Sequence, residues 1–365
     1  MKIIHLYSGN RFGGVERVLL QLFIVRKHLS EIDQEYIIIF DGLLSQKLIE
    51  EGAKVNLLFP VKFSKPWTII RAWTRINSLL NRRRPQVLIC HDIWSFVIGH
   101  LPARIYGCKI VLWAHTEGLH YYLYKYLDFF KPDLIISCSD FLKKQLQVRF
   151  KNFKVTTIYA PFNFSHSHLS TANKIQQKFN VLFAGRLVPL KGADLLIKAI
   201  ALIADQDVHL TILGIVTNPQ ESDFLEEINK LIYELKLNDR VSLLINQTNV
   251  KSFYQSADLY CQPNRNPETF GLTFVEALSF GLPVVTSKLG GAIEILMDQN
   301  QTFGSFINPD DIESIKVAIL EWKNASDKRI AFAEKARTRV LELCSSEVVL
   351  KKLEQELRLV CGDQA

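Results

Sequence analysis

Residues 268–285, which read ETFGLTFVEALSFGLPVV, predict a loop, a helix and a buried strand in immediate succession. Glu268 precedes the turn, and Glu276 lies about one turn inside the helix. Gly271 frees the backbone, so that successive N–H groups at the helix N-terminus can face an anion. An acidic side chain beside such a helix can hold both hydroxyls of a ribose. The preference of helix starts for acidic residues would explain Glu276, but not Glu268 together with Gly271.

A second segment, GRLVPLKG at residues 185–192, places two cations at the end of a predicted strand. Arg186 leaves the strand, and Lys191 precedes the next helix, predicted at Asp194–Ile203. Arg offers a planar fork and Lys a mobile charge, so both could hold a diphosphate in the crevice there. Such cations would stabilise the charge that develops on a departing nucleoside diphosphate. Either residue taken alone is more simply an ordinary loop cation.

A pair of glycines, Gly13 and Gly14, follows the first predicted strand, Lys2–Ser8, and opens a helix near Val15. Paired glycines let the backbone approach a ligand closely, and the helix N-terminus offers N–H groups to an anion. A simple turn between strand and helix explains the glycines almost as well. The GxGxxG fingerprint of dinucleotide sites is absent at this position.

The order of apolar runs along the chain predicts the fold class. Short apolar runs alternate with helix-length amphipathic stretches, which is typical of parallel sheets with crossover helices. We therefore predict an α/β protein with two facing Rossmann-like, doubly wound domains and a ligand cleft between the carboxyl ends of their strands. The predicted strands are Lys2–Ser8, Tyr36–Phe40, Val55–Phe59, Val87–Cys90, Lys109–Ala114, Leu134–Ser137, Thr156–Tyr159, Asn180–Ala184, His209–Leu213, Val241–Ile245, Leu259–Gln262, Pro283–Ser287 and Thr302–Ile307.

Together these segments resemble the retaining glycosyltransferases of family four, which have the GT-B fold. The resemblance rests on Glu-x7-Glu within PETFGLTFVEALSFGLPVV at residues 267–285, on GRLVPLKG before it and on the glycine pair near the N-terminus. It covers nearly the whole chain, with the segments in the expected order. It implies an enzyme that moves a sugar from a nucleotide-sugar donor to a glycan or lipid-linked acceptor with retention of configuration, in surface polysaccharide or glycolipid synthesis.

The resemblance also implies a role for each matching residue. Glu268 would contact hydroxyls of the transferred sugar, and Glu276 the ribose of the nucleotide. His115, at the end of a first-domain strand, takes the place of an active-site histidine near the donor sugar, so His115 and Glu268 are the candidate catalytic residues. The donor phosphates would be held by cations and by backbone at the glycine turns, namely Arg186, Lys191, Phe270, Gly271, Leu272, Gly13 and Gly14.

Residues 161–178 interrupt the alternation of strands and helices and predict the domain boundary. We expect an acceptor-side domain at residues 1–165 and a nucleotide-sugar-binding domain at residues 176–344. Residues 345–365 predict a final helix that, as the resemblance implies, packs back toward the first domain.

Two segments depart from the family pattern. Residues 213–216 lack the acidic residue and second glycine often found after this strand, and residues 243–246 lack a glycine common near the base. The identity of the nucleobase therefore stays open.

Asp205-Gln206-Asp207 lies between a helix and a strand and is interpreted as a solvated turn. We accordingly expect no catalytic metal and no cofactor, because the nucleotide sugar is a substrate.

The charge distribution predicts an anionic partner for the first half of the chain. Residues 1–170 hold 23 Lys and Arg against 12 Asp and Glu, whereas the remainder holds 21 against 25. Residues 65–84 form a basic amphipathic pattern with Trp, which could lie on an anionic membrane surface. The alternative is a helix that packs on its own sheet with a solvated basic rim. Its apolar face consists of Ile69, Trp73, Ile76 and Leu80.

The cysteines, the apolar runs and the absence of certain motifs predict the location and the partners of the chain. Its six cysteines include no CxxC pair, which is typical of buried, reduced thiols. The first apolar run is too short for a signal peptide, and no run approaches the roughly 18 apolar residues of a membrane span. We expect a cytoplasmic protein, with peripheral attachment to the inner face of the membrane left open. No nucleic-acid-binding motif occurs, so a nucleic acid partner is not expected.

Three other functions fit a doubly wound fold. A sugar-nucleotide epimerase of similar fold would yield product without an acceptor. A non-catalytic sugar-nucleotide-binding protein would need the same residues but no chemistry. A dehydrogenase is disfavoured, because no GxGxxG follows the first strand.

Overall fold

The computed structural model describes residues 1–9, 13–28, 32–62, 64–116, 126–127, 129–164, 178–299 and 301–362. The chain divides into two compact units, one formed by Met1–Asn163 with Cys344–Ala365 and the other by Phe164–Leu343. Most of the predicted boundary segment, residues 165–177, lies outside the described residues. Within the described ranges, no helix combines the length and the apolar character that a membrane span requires.

The first unit contains one parallel sheet with the strand order β3-β2-β1-β4-β5-β6-β7 among its described residues. The chain starts in the middle of this sheet, builds one side and then returns to build the other. This is a doubly wound arrangement, whose order reverses between β1 and β4. The strands are β1 (Lys2–Tyr7), β2 (Asp33–Ile38), β3 (Lys54–Leu57), β4 (Val87–Cys90), β5 (Lys109–Ala114), β6 (Leu134–Ser137) and β7 (Val155–Thr157).

The second unit repeats the same winding. Its described strands form a parallel sheet in the order β10-β9-β8-β11-β12-β13, which reverses between β8 and β11. Ligands of open α/β sheets bind beyond the carboxyl ends of the strands at such a reversal. The strands are β8 (Phe179–Arg186), β9 (Val208–Ile215), β10 (Val241–Ile245), β11 (Leu259–Gln262), β12 (Val284–Ser287) and β13 (Gly304–Ile307). The prediction of an α/β protein with two doubly wound units is confirmed.

Helices connect the strands in both units and cover the sheets. Their α-helical bounds in the described residues are α1 (Gly14–Ile24), α2 (Leu43–Glu50), α3 (Pro66–Arg83), α4 (Ile93–Ile105), α5 (Asp140–Arg149), α6 (Ala193–Ala201), α7 (Pro219–Glu234), α8 (Lys251–Ser256), α9 (Leu272–Ser279), α10 (Ala292–Leu296), α11 (Ile312–Asn324), α12 (Ser326–Cys344) and α13 (Ser346–Cys361). Short 3-10 helices cover Val25–His28 and Pro189–Lys191.

The final helix, α13, belongs to the first unit. Its apolar stripe is buried, with Leu353 and Leu357 fully excluded from solvent. Glu356 accepts hydrogen bonds from Thr156 Oγ1 at 3.0 Å and lies 2.9 Å from Lys154 Nζ. Burial of this amphipathic face, rather than helix propensity, therefore fixes the end of the chain on the first unit.

The amphipathic helix α3 packs its apolar face within the first unit. Ile76 and Leu80 are fully buried. Trp73 is partly buried, and its indole N–H donates to the carbonyl oxygen of Ile98 on α4 at 3.0 Å. The face that the sequence identified is therefore used inside the unit, as the alternative interpretation of residues 65–84 expects.

Most predicted strand bounds agree with the structure within two residues, and the main difference lies at β2. The sequence predicts Tyr36–Phe40, whereas β2 covers Asp33–Ile38. The polar run before Tyr36 resembles a loop, yet Glu35 is fully buried, with Arg83 Nε at 3.0 Å and Lys2 Nζ at 4.0 Å from its carboxylate. Neighbouring cations thus compensate a buried charge that the sequence pattern alone does not reveal.

Candidate active site

The clearest side-chain cluster of the second unit lies where the strand order reverses. Lys191 follows β8 through the 3-10 helix, and Glu268 lies in the loop after β11. The Lys191 ammonium donates to Glu268 Oε1, and the two side chains retain only 20% and 18% of their exposure. The structure therefore brings together one cation and one carboxylate from two motifs that are 77 positions apart in sequence.

A buried glutamine holds the carboxylate of this ion pair. Gln262, the last residue of β11, has no solvent exposure. Its amide N–H donates to Glu268 Oε1 at 2.9 Å and to Asn264 Oδ1 at 2.8 Å, while its Oε1 accepts from the Tyr260 hydroxyl at 2.7 Å. Every one of these contacts fixes which end of the amide faces Glu268, so the carboxylate position is set before any ligand binds.

The backbone around Glu268 is clamped from the other side by two glycines. The Gly291 N–H donates to the Glu268 carbonyl oxygen at 2.7 Å. Gly290 adopts φ +61°, and a Cβ added there would lie 2.3 Å from the same oxygen. A side chain at position 290 would therefore displace the residue that carries the carboxylate.

A bidentate ion pair ties the loop after β11 to the segment that carries Lys191. The Arg265 guanidinium donates to both carboxylate oxygens of Asp194, at 2.8 and 2.6 Å. The backbone N–H of Arg265 also donates to the Leu190 carbonyl oxygen at 2.9 Å. Fork-to-carboxylate geometry is specific as well as strong, so this contact fixes the distance between the two loops.

The N-terminus of α9 offers free backbone donors. Gly271, at the N-cap, adopts φ +109°, and a Cβ there would lie 2.4 Å from the Phe274 ring. Phe270 is buried beside it. Within the described ranges, the N–H groups of Leu272 and Thr273 make no hydrogen bond. A helix N-terminus with such donors attracts an anion, as the sequence predicts for this turn.

Glu276 lies on α9 and is oriented by an aromatic residue. The Tyr254 hydroxyl donates to Glu276 Oε2 at 2.9 Å, and Tyr254 is 2% exposed. Its ring stacks on those of Tyr260 and Phe280, with centroid distances of 6.1 and 5.4 Å. Glu276 is partly exposed, and the Tyr254 hydroxyl holds its carboxylate.

Arg186 lies at the end of β8 but is directed away from the ion pair. Its guanidinium Nη1 is 3.8 Å from Glu221 Oε1 near the start of α7, and its side chain is 60% exposed. The second carboxylate oxygen of Glu221 accepts from Thr217, through its N–H at 2.6 Å and its hydroxyl at 2.9 Å. Only Arg186 is exposed in this pair, because the Glu221 side chain is 2% exposed, and their 3.8 Å separation is longer than a direct hydrogen bond.

The predicted residues of the first unit lie at the carboxyl ends of β1 and β5. Gly14 is the first residue of α1, and Gly13 is its N-cap. The Gly13 N–H donates to Glu16 Oε2 at 2.9 Å, and Glu16 Oε1 accepts from the Tyr7 hydroxyl at 2.5 Å. Glu16 is buried, so it fixes the glycine turn to the end of β1.

His115 follows β5 and belongs to a row of three imidazoles. Its Nε2 lies 3.1 Å from His91 Nδ1, and His91 Nε2 lies 2.8 Å from His5 Nδ1. Burial lowers the pKa of His115 and of His5 to about 3 and depresses that of His91 well below its usual value. All three rings are therefore neutral at physiological pH.

The sequence interpretation did not identify the residues that position these side chains. A repeated pattern could have identified His91, because Cys90-His91 and Ala114-His115 both place a histidine directly after an apolar strand. The others were not identified, because no motif links them to their partners, whether the separation is 3 positions, as for Glu16 and Gly13, or 86, as for His5 and His91. Those residues are His5, Glu16, Asp194, Tyr254, Gln262 and Arg265.

Two family models match consecutive parts of the chain. Residues 12–165 match the model described as Glycosyltransferase Family 4, and residues 168–339 match the model described as Glycosyl transferases group 1. Together the two matches span most of the chain.

Individual relatives agree with these matches. A glycosyltransferase of Haemophilus influenzae is 24% identical over 94% of this chain and 95% of its own length. The capsular polysaccharide biosynthesis glycosyltransferase CapM of Staphylococcus aureus is 25% identical over 76% of this chain and 75% of its own.

Among solved structures, Anabaena HepE in complex with UDP and glucose superposes with a TM-score of 0.82. It is 20% identical and covers 98% of this chain and 99% of its own. The two family models confirm the resemblance to the family-four glycosyltransferases, and the superposition shows the shared fold. The chain belongs to the group 1, family 4 glycosyltransferases and has the GT-B fold.

Proposed function

We propose that the protein transfers a sugar from a nucleotide-sugar donor to a glycan or lipid-linked acceptor, with retention of configuration and without a catalytic metal. The observation that carries this proposal is the Lys191–Glu268 ion pair beside the free N-terminus of α9. A cation and free N–H groups suit a diphosphate, and a carboxylate suits sugar hydroxyls.

The donor would bind to the second unit through three kinds of contact. Lys191, Arg186 and the backbone at Phe270, Gly271 and Leu272 would hold the diphosphate, and contacts of Gly13 and Gly14 with a phosphate stay a prediction. Glu276 would bind the ribose hydroxyls, with its carboxylate held by Tyr254. The HepE structures, solved with UDP or UDP-glucose, support a nucleoside diphosphate as the ligand class.

The proposed reaction breaks the bond between the anomeric carbon and the diphosphate oxygen through an oxocarbenium-like state. The acceptor oxygen forms the new glycosidic bond on the same face, and its proton passes to the departing phosphate. Lys191 and the α9 N–H groups stabilise the charge on that phosphate. Glu268, already held by Gln262, binds the sugar hydroxyls. A contact between His115 and a donor sugar stays a prediction of the family resemblance.

A direct assay tests this function. We expect transfer from a nucleotide sugar to an added acceptor to persist in EDTA, and proton NMR to show that the product keeps the anomeric configuration of the donor. Loss of activity in EDTA with recovery on adding manganese would contradict metal independence, and an inverted product would contradict retention. Conversion of the sugar nucleotide without an acceptor would favour an epimerase instead.

Charge removal at Lys191 tests the diphosphate site separately. Lys191→Ala should weaken binding of a nucleoside diphosphate by about ten- to a hundredfold, because it removes a charged hydrogen bond and leaves Glu268 to repel the phosphates. The affinity for the bare nucleoside should hardly change. Isothermal titration measures both.

Lys198→Ala is the matched control, because Lys198 is exposed on the adjacent helix α6 and should leave both affinities unchanged. If Lys191→Ala lost the same affinity for the nucleoside as for its diphosphate, a role of Lys191 in phosphate binding would be contradicted.

We further propose that the acceptor belongs to surface polysaccharide or glycolipid synthesis and that the enzyme works beside an anionic membrane. The similarity to CapM supports the first part. The second part rests on the exposed side of α3, since the apolar face is already packed. Trp67 and Ile70 are 62% and 58% exposed there, next to the exposed Arg71 and Arg75. Apolar and basic side chains on one exposed face suit an interface with anionic lipid.

Vesicle flotation tests the membrane proposal. The protein should float with vesicles that contain anionic lipid but not with neutral vesicles, and Trp67→Ser with Ile70→Ser should abolish flotation because the apolar anchor is lost. Val148→Ser is the control, since Val148 is 76% exposed on α5 of the same unit. Absence of any preference for anionic lipid in the unmodified protein would refute membrane attachment through α3.

A further inference from the structure

A row of three histidines crosses the centre of the first sheet. His5 lies on β1, His91 follows β4 and His115 follows β5, and these three strands are neighbours. Ring nitrogens join them in series, at 2.8 Å between His5 and His91 and at 3.1 Å between His91 and His115. His5 and His91 are buried, whereas His115 is partly exposed. The row therefore runs from the core to the carboxyl edge of the sheet.

Stacking with aromatic side chains fixes the planes of these rings. His5 stacks on Tyr36 with centroids 4.9 Å apart and 15° between the planes. Trp113 stacks against both His91 and His115, at 5.4 and 5.7 Å. A flip of any ring would therefore break a hydrogen bond without changing the stack, so the hydrogen bonds set the ring orientation.

The environment of His5, at the buried end of the row, argues against proton transfer along the three histidines. His5 Nε2 is buried and has no hydrogen-bond partner among the described residues. A proton relayed inward along the row would end on an atom with no outlet to solvent or to another base. The row is therefore suited to orienting His115 rather than to transporting protons.

His5 Nε2 also determines the direction in which the three histidines donate their hydrogen bonds. A neutral imidazole donates from one nitrogen and accepts at the other, so the three rings must all donate in the same direction. If they donated inward, His5 would bury an N–H without an acceptor, whereas donation outward leaves only a lone pair there. Buried unpaired N–H groups are the rarer of the two, which favours outward donation from each Nδ1.

We propose that His91, supported by His5, is a positioning residue that holds His115 as the Nδ1–H tautomer and presents this N–H to the transferred sugar. The inference rests on the proposed function, which places His115 beside the donor. His91 Nδ1–H donates to His115 Nε2, so the only proton of the neutral ring must lie on Nδ1. Within the described residues, Nδ1 of His115 has no partner, so its N–H is free to donate to a sugar oxygen.

Replacement of His91 separates the orienting role from a structural one. His91→Phe keeps an aromatic ring in the stack but removes the donor, and it should lower kcat by about ten- to a hundredfold with little change in KM for the donor. His91→Asn should restore most of kcat, because its amide nitrogen can donate from nearly the same place as Nδ1.

His100→Phe is the control. His100 is a buried histidine on α4 of the same unit, outside the row, and its Nδ1 also lacks a partner among the described residues. This variant should retain the activity and the melting temperature of the unmodified protein.

Nitrogen NMR of protein with 15N-labelled histidine measures the tautomer of His115 independently of enzymatic activity. We expect the His115 signal to show Nδ1 protonated in the unmodified protein and in His91→Asn, and a mixture of tautomers in His91→Phe. Protonation of His115 at Nε2 in the unmodified protein would overturn the inference, as would full kcat in a folded His91→Phe variant. If no donor is turned over at all, the proposed function fails, and the NMR signal still decides the tautomer.

Discussion

The ion pair between Lys191 and Glu268 is the contact on which the proposed site of the second unit depends. It joins the loops that follow β8 and β11, the two strands between which the sheet order reverses. The Gln262 amide donates to the Glu268 carboxylate, and Gly290 and Gly291 pack against the Glu268 backbone. The pair neutralises two charges that are mostly removed from water. In the proposed function, Lys191 exchanges its partner for a phosphate and Glu268 for a sugar hydroxyl when the donor binds.

Parallel sheets impose the same constraint on both units. Because every strand of a parallel sheet ends at one edge, side chains after neighbouring strands meet without any local sequence relation. In the first unit this brings Gly13, His91 and His115 to the ends of β1, β4 and β5. In the second it gathers Lys191 and Glu268. Each unit therefore presents a preorganised group of side chains whose rigidity derives from the buried strands behind it.

The sequence predicted those features that depend on local pattern. The bounds of β4, β5, β6, β10 and β11 agree with the predicted ones, because these strands are apolar runs. The turn at Gly271 and its two flanking glutamates were identified from spacing alone. Arg186 was also identified, yet its direction toward Glu221 was not, since an exposed side chain is not oriented by its own motif.

Contacts between distant residues could not be predicted in the same way. Asp194 and Arg265 are separated by 71 positions, and His5 and His91 by 86. Glu35 reads as a polar residue of a loop, although three cations from other segments, Lys2, Lys54 and Arg83, allow its burial in β2. In each case the partner that makes the residue fit is fixed only by the order of the strands.

The most direct test of the account is a crystal structure of the protein with a non-hydrolysable nucleotide-sugar analogue. We expect the Lys191–Glu268 pair to open, with the Lys191 ammonium on a phosphate oxygen, the Glu268 carboxylate on sugar hydroxyls and the ribose on Glu276. An analogue bound elsewhere, with the ion pair intact, would contradict it.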